Sequence, residues 1–185
     1  MGRGPASIGR VRGHVGSVGT LVRAWAYIRA HGGDGLREAS DDAVLAANYL
    51  RGRLEADGAY EVPYAGPCGR EFIASGAGLK RATGVRTLDV AKRLIDKGFR
   101  PPTIYFPHTV DEAMLIEPTE TERLETLDAF ADALLEIARE AVETPELVTS
   151  APHSAPVRRL DEATAACRPN LRWRVEPGLQ AACLE

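Results

Sequence analysis

The stretch that decides the fold is PPTIYFPHTVDEAMLIEPTETERLETLDAFADALLEIAREAV, residues 101–142. Pro101-Pro102 bars a helix, and the β-branched and aromatic run Thr103-Ile104-Tyr105-Phe106 then reads as a strand. Ala113-Met114-Leu115-Ile116-Glu117 reads as a second strand, closed by Pro118. After it the apolar period changes from two to 3.6. Leu124, Leu127, Phe130, Ala131, Leu134, Ile137 and Ala141 recur at steps of three and four, with acids such as Glu125, Asp132 and Glu136 on the other side. That spacing predicts a one-faced helix from about Glu122 to Val142, capped by Thr121, about 30 Å long at 1.5 Å per residue.

The same reading extends upstream. Leu21, Val22, Trp25 and Ile28 predict a helix from Ser17 to about Ala30, stopped by Gly32-Gly33. A second helix is predicted from Asp34 to Ala56, with a stripe of Leu36, Ala39, Ala43, Ala47, Leu50 and Leu54, and Gly58 after its end. Tyr60-Glu61-Val62 and Glu71-Phe72-Ile73-Ala74 read as short strands. Gly76, Gly78 and Gly84 suggest a mobile loop. A third helix opens at Thr87, with Leu88, Ala91 and Ile95 facing in and Lys97-Gly98 at its end. A last short helix is expected from about Arg158 to Pro169. The predicted fold is α/β of the α+β kind: a small, mostly antiparallel four-stranded sheet covered by helices. Residues 1–15 and 175–185 read as tails, the first a linker remnant and Leu184-Glu185 a cloning scar, which leaves 16–174 as the domain.

Composition narrows the function classes. With 44% hydrophobic and 26% charged residues, the 185-residue chain can bury a core. No apolar run reaches the roughly 20 residues of a membrane span, and no secretory signal follows Met1, so a cytoplasmic protein is expected. Cys68, Cys167 and Cys183 stand apart, as in a reduced protein, and His14, His31, His108 and His153 are scattered, so no metal site is expected. Gly13, Gly16 and Gly19 follow no strand and do not make a phosphate loop. Residues 1–33 hold five arginines and no acid, yet the net charge is -3, and nucleic acid is not expected as a partner. Docking on an acidic neighbour explains the basic ends as well. The helix carrying Trp25 and Tyr27 is apolar around much of its circumference, which suits either a bridge between two domains or a central helix within one.

Several phrases carry a family resemblance: residues 16–50, VPYAGPCGREFIAS (62–75), GVRTLDVAKRLIDKGFRPPTIYFP (84–107), MLIEPTETE (114–122) and SAPHSAPVRRLDEATAACRPNLRW (150–173). Across about residues 7–174 the chain resembles the C-terminal region of glycine dehydrogenase (decarboxylating), the P-protein of the glycine cleavage system, in its bacterial second-subunit form. The resemblance implies the small C-terminal domain, with its leading interdomain helix, of a pyridoxal phosphate (PLP) enzyme of the aspartate-aminotransferase fold type. Such enzymes decarboxylate glycine and pass the aminomethyl group to the lipoyl H-protein. It implies as partners the cofactor-binding large domain, subunit 1 and the H-protein. The family's Schiff-base lysine and pyridine-binding aspartate lie in that large domain, so no catalytic or cofactor-binding residue is assigned here. Lys80, Lys92 and Lys97 are the only lysines, and none has the apolar enclosure that activates an amine. The chain alone is therefore expected to hold no PLP and to be inactive. Glu117, Thr119 and Glu120, after a strand end, and His153 with Arg158 are the candidates to face substrate. The family often has Asn-Phe at Ser17-Val18 and His at Arg70. A non-catalytic assembly module is the alternative reading, and self-association through the first helix is expected of the severed domain.

Overall fold

The computed structural model describes residues 5–9 and 16–172. The other residues of the two expected tails, and Cys183, lie outside these. The element order is α1 (Val18–Asp57), β1 (Phe72–Ser75), α2 (Ala77–Thr83), α3 (Thr87–Asp96), β2 (Thr103–Ile104), β3 (Ala113–Ile116), α4 (Leu124–Glu143), α5 (Pro145–Thr149) and α6 (Glu162–Cys167).

The sheet is antiparallel throughout, in the order β1-β3-β2, with Phe72 opposite Ile116 and Thr103 opposite Leu115. It has three strands rather than four. Tyr60-Glu61-Val62 contributes a single bridge, Glu61 to Ser75, because Pro63 cannot donate to a ladder. Strand β2 is shorter than expected. Tyr105 takes a φ of 59° and turns the chain out of the pleat.

One core joins the layers. Leu50 and Leu54 of α1, Phe72 and Ala74 of β1, Val90 and Leu94 of α3, Met114 of β3 and Leu134 and Ile137 of α4 pack into it. On α4 the predicted stripe is buried apart from Leu124, which lies in the exposed first turn, and Phe130, which is half-buried. The helix starts after Arg123. Thr121, the expected cap, instead shares a hydrogen bond with the Thr119 hydroxyl at 2.8 Å. On α3 Ala91 is buried as expected, but the face is turned toward Val90 and Leu94, which are fully buried, while Leu88 and Ile95 are half-buried.

One further expectation changes. The glycines at 76–84 frame a helix, not a mobile loop. Gly84, with a φ of 79°, ends α2, and Gly76 is packed so closely that a Cβ there would meet the Thr87 hydroxyl at 2.9 Å. Gly32-Gly33 breaks the helical run as expected: Gly32, at φ 64° and ψ -170°, is outside the helical region, and α1 is two helices that meet at this elbow. Helix α5 begins on Pro145, a residue suited to a first turn, and had no apolar stripe long enough to announce it. Helix α6, capped by Asp161, is exposed. Among the described residues, no helix is long and apolar enough to cross a membrane.

Candidate functional site

The register of β1 on β3 builds the first cluster. With Phe72 opposite Ile116, the residues just beyond the strand ends lie together, and Arg70 pairs with Glu117 at 3.0 Å. Pro118 is buried and turns the chain, Thr119 bonds Thr121, and Glu120 accepts a hydrogen bond from the Tyr27 hydroxyl at 3.1 Å. That bond raises the Tyr27 pKa above its ordinary value. The Tyr27 ring packs on His31, centroids 4.3 Å apart. Glu117, Thr119 and Glu120 are thus exposed on one turn, where the limb of α1 before the elbow touches the body.

His153 and Arg158 lie elsewhere. The His153 N–H donates to Asp96 at 2.6 Å, and its Nε2 lies 2.9 Å from the Leu147 carbonyl. Asp96 also accepts from the Ser154 N–H and hydroxyl, both at 2.8 Å, and pairs with Arg93 at 3.2 Å. Burial opposes ionisation of Asp96, but the bonds from Ser154, His153 and Arg93 outweigh it and hold the carboxyl down at about 2. Arg158 enters no hydrogen bond or ion pair among the described residues. Its neighbour Arg159 is the engaged one, on Asp89 at 2.7 Å and on the Ala151 carbonyl at 2.8 Å. No hydrogen bond among the described residues joins this cluster to the first.

Sequence reasoning missed a third cluster. Glu112 is 4% exposed at a φ of 48°, a conformation rare outside glycine. Its carboxylate takes Lys80 at 2.6 Å and the Thr87 N–H at 2.7 Å. Its carbonyl accepts from the Thr87 hydroxyl and the Gly76 N–H. Despite burial, the bonds from Lys80 and Thr87 lower the Glu112 pKa, and the bond to Glu112 raises that of Lys80. The only sequence signal was an acid directly before an apolar strand.

A covalently held aldehyde cofactor needs a lysine that gives up its proton near neutrality. Lys80 is tied to Glu112. Lys97 pairs with Glu136 at 2.6 Å and Glu140 at 2.9 Å, and these carboxylates raise its pKa against the opposing effect of burial. Lys92 lies half-buried on α3. The residues present do not fit PLP. Among the described residues no group of His, Cys, Asp and Glu could hold a metal. Cys68 is clamped through its backbone by Asn48, at 2.9 and 3.0 Å, beside a groove of about 230 Å³ shared with Arg51 and Tyr64.

Residues 39–157 match the model of the family described as glycine dehydrogenase, C-terminal domain. The chain belongs to that family. Among curated relatives, the probable glycine dehydrogenase (decarboxylating) subunit 2 of Shouchella clausii is 55% identical over 172 residues, 93% of this chain and 34% of that protein. The corresponding protein of Chlorobium phaeovibrioides is 56% identical over 170 residues, 92% of this chain and 35% of that protein. The chain thus spans about a third of the length of these glycine dehydrogenase relatives. A solved glycine decarboxylase (P-protein) in inhibitor-bound form shares the fold, with a TM-score of 0.56 at 24% identity over 64% of this chain and 25% of that one. The glycine dehydrogenase C-terminal domain match includes the three clusters above, apart from Arg158 and Arg159 and the Tyr27 side of the first.

Proposed function

We propose that this chain is the small C-terminal domain, residues 16–174, of a cytoplasmic glycine dehydrogenase subunit 2, inert alone and active only when it completes a larger enzyme. The observation that carries the reading is the state of the lysines: Lys80 and Lys97 are held as cations by carboxylates, the opposite of an activated amine. In the intact enzyme PLP belongs to the large domain and supplies the decarboxylation chemistry. This chain's part is a wall of the cleft. Glu117, Thr119 and Glu120, with Arg70 fixed on Glu117, are its substrate-facing residues, and His153 and Arg158 are a second, separate candidate pair.

The test is reconstitution. The purified chain with PLP and glycine should release no CO2. Adding the cofactor-binding large domain and subunit 1 should restore glycine decarboxylation, and with H-protein the aminomethyl transfer. Glu117→Ala and Glu120→Ala should lower the restored rate without loosening assembly. Release of CO2 by the chain alone would overturn the reading. A second reading, an assembly module without a role in catalysis, draws on the uncovered limb of α1. It predicts that the alanine changes leave the restored rate untouched.

A further inference from the structure

Strand β1 is an edge of the sheet, and its outer side is only partly paired. Ser75 exchanges two hydrogen bonds there with Glu61, an antiparallel bridge at 3.1 and 2.8 Å. Gly76 turns the other way and donates to the Glu112 carbonyl. Backbone groups alternate sides along a strand, so the N–H and carbonyl of Ile73 face the outer edge with those of Ser75. The chain that made the bridge does not go on to meet them, because it bends at Tyr64, just after Pro63. Neither Ile73 group has a hydrogen-bond partner among the described residues. Beside this open edge lies the groove of about 230 Å³, lined by Val62, Tyr64, Pro67, Glu71, Ile73 and Arg51 among others. Two charges line it with bonding capacity left over. Arg51 is 13% exposed, and its Nη2 pairs with Glu55 at 3.2 Å, but its buried Nε has no partner. Glu71 is half-buried and enters no hydrogen bond or ion pair among the described residues. A buried donor without an acceptor is costly, and an incoming acceptor removes that cost.

We propose that this edge is a strand-addition site for an extended segment of another polypeptide. The segment continues the line of the Glu61 bridge, antiparallel to β1, and its first residue exchanges two hydrogen bonds with Ile73. That residue's side chain lies on the face of Ile73 and Leu115 and is apolar. The second residue points to the side of Phe72, which shares a core with Leu50 and Leu54 of α1, and brings a carboxylate to Arg51. A small turn of the Arg51 side chain presents its Nε edge to that carboxylate. The third residue lies beside Glu71 and brings a cation. The groove thus selects the order apolar, acidic, basic, read from N- to C-terminus. The inference does not depend on the catalytic reading above.

The probe is the peptide acetyl-Val-Glu-Lys-Thr-amide, titrated into the full 185-residue chain and followed by NMR. The Ile73 amide should shift, and its hydrogen exchange should slow, as the peptide saturates the site at about millimolar concentration. Methylating the valine nitrogen removes the donor to the Ile73 carbonyl and should weaken binding on the order of tenfold. Acetyl-Val-Lys-Glu-Thr-amide, of equal composition, sets like charges against Arg51 and Glu71 and should also bind on the order of tenfold more weakly. Arg51→Gln and Glu71→Gln should each narrow the preference between the two peptides, and the peptide comparisons decide the matter whether or not these variants fold. Absence of binding overturns the proposal. So does binding that leaves Ile73 exchange unchanged or is indifferent to N-methylation or to charge order. So, too, does an Ile73 amide already protected in the chain alone, by its own residues or by a second copy.

Discussion

The two limbs of α1 have similar apolar content and opposite fates. From Ala46 onward, Ala46, Ala47, Leu50 and Leu54 sink into the core, and Arg53 reaches Asp128 and Asp132 of α4. Before Gly32, Leu21 and Trp25 are each 65% exposed, and among the described residues the Tyr27 side chain alone hydrogen-bonds to the body. Helical periodicity reports that a stripe exists. What covers a stripe depends on where the rest of the chain goes, and the described residues pack on one limb.

The comparison breaks first on stability. Leu54→Ala in the buried limb should cost about 2–5 kcal/mol of unfolding free energy, whereas Leu21→Ala should stay within about 0.5 kcal/mol in dilute chain. Equal losses in urea melts would mean that the limbs do not differ. Next, Glu112→Ala strands the Thr87 N–H and Lys80, for a loss of about 2–3 kcal/mol, while Glu38→Ala among the unpaired acids should be silent. Acid titration sharpens the contrast. The Asp96 carboxyl titrates at about 2 when folded, below its ordinary 3.8. Its contribution, roughly 1–2 kcal/mol, is therefore complete above about pH 5 and lost as pH falls toward 2. Asp96→Asn should flatten that limb of the stability curve, and an unchanged curve would deny the carboxylate its role. Smallest is Tyr27→Phe, which should leave the melt within about 0.5 kcal/mol but lower Trp25 fluorescence anisotropy as the outer limb loses its tether.

Much of the fold was legible because α4 is one-faced and the strands beside it are short and closed by prolines. The acids on its outer side also found partners: Asp128 and Asp132 meet Arg53, and Glu136 and Glu140 meet Lys97. The failures have physical causes. Gly76 and Gly84 looked like mobility, but a close approach to Thr87 and a left-handed helix end require glycine just as well. Gly32-Gly33, by contrast, was rightly read as a stop, and Gly32 is non-helical at φ 64° and ψ -170°. For the candidate site, Glu117, Thr119 and Glu120 were found because a proline turn follows a strand. Asp89, Asp96, Glu112 and Arg159 were not, since each has a partner that lies 25 to 70 residues away. Arg158 and Arg159 are identical letters, and only the path of the chain decides which one turns inward.

That path fixes how short the domain can be made. Asp89 and Asp96 stand seven residues apart on α3, two turns along the same side, and they moor the returning chain at Arg159 and at His153-Ser154. A polypeptide ended at residue 157, where the family match stops, would cast off the upper mooring and leave Asp89, only 6% exposed, facing no guanidinium. Any trimmed version intended for crystallisation or grafting should therefore keep at least one residue past Arg159.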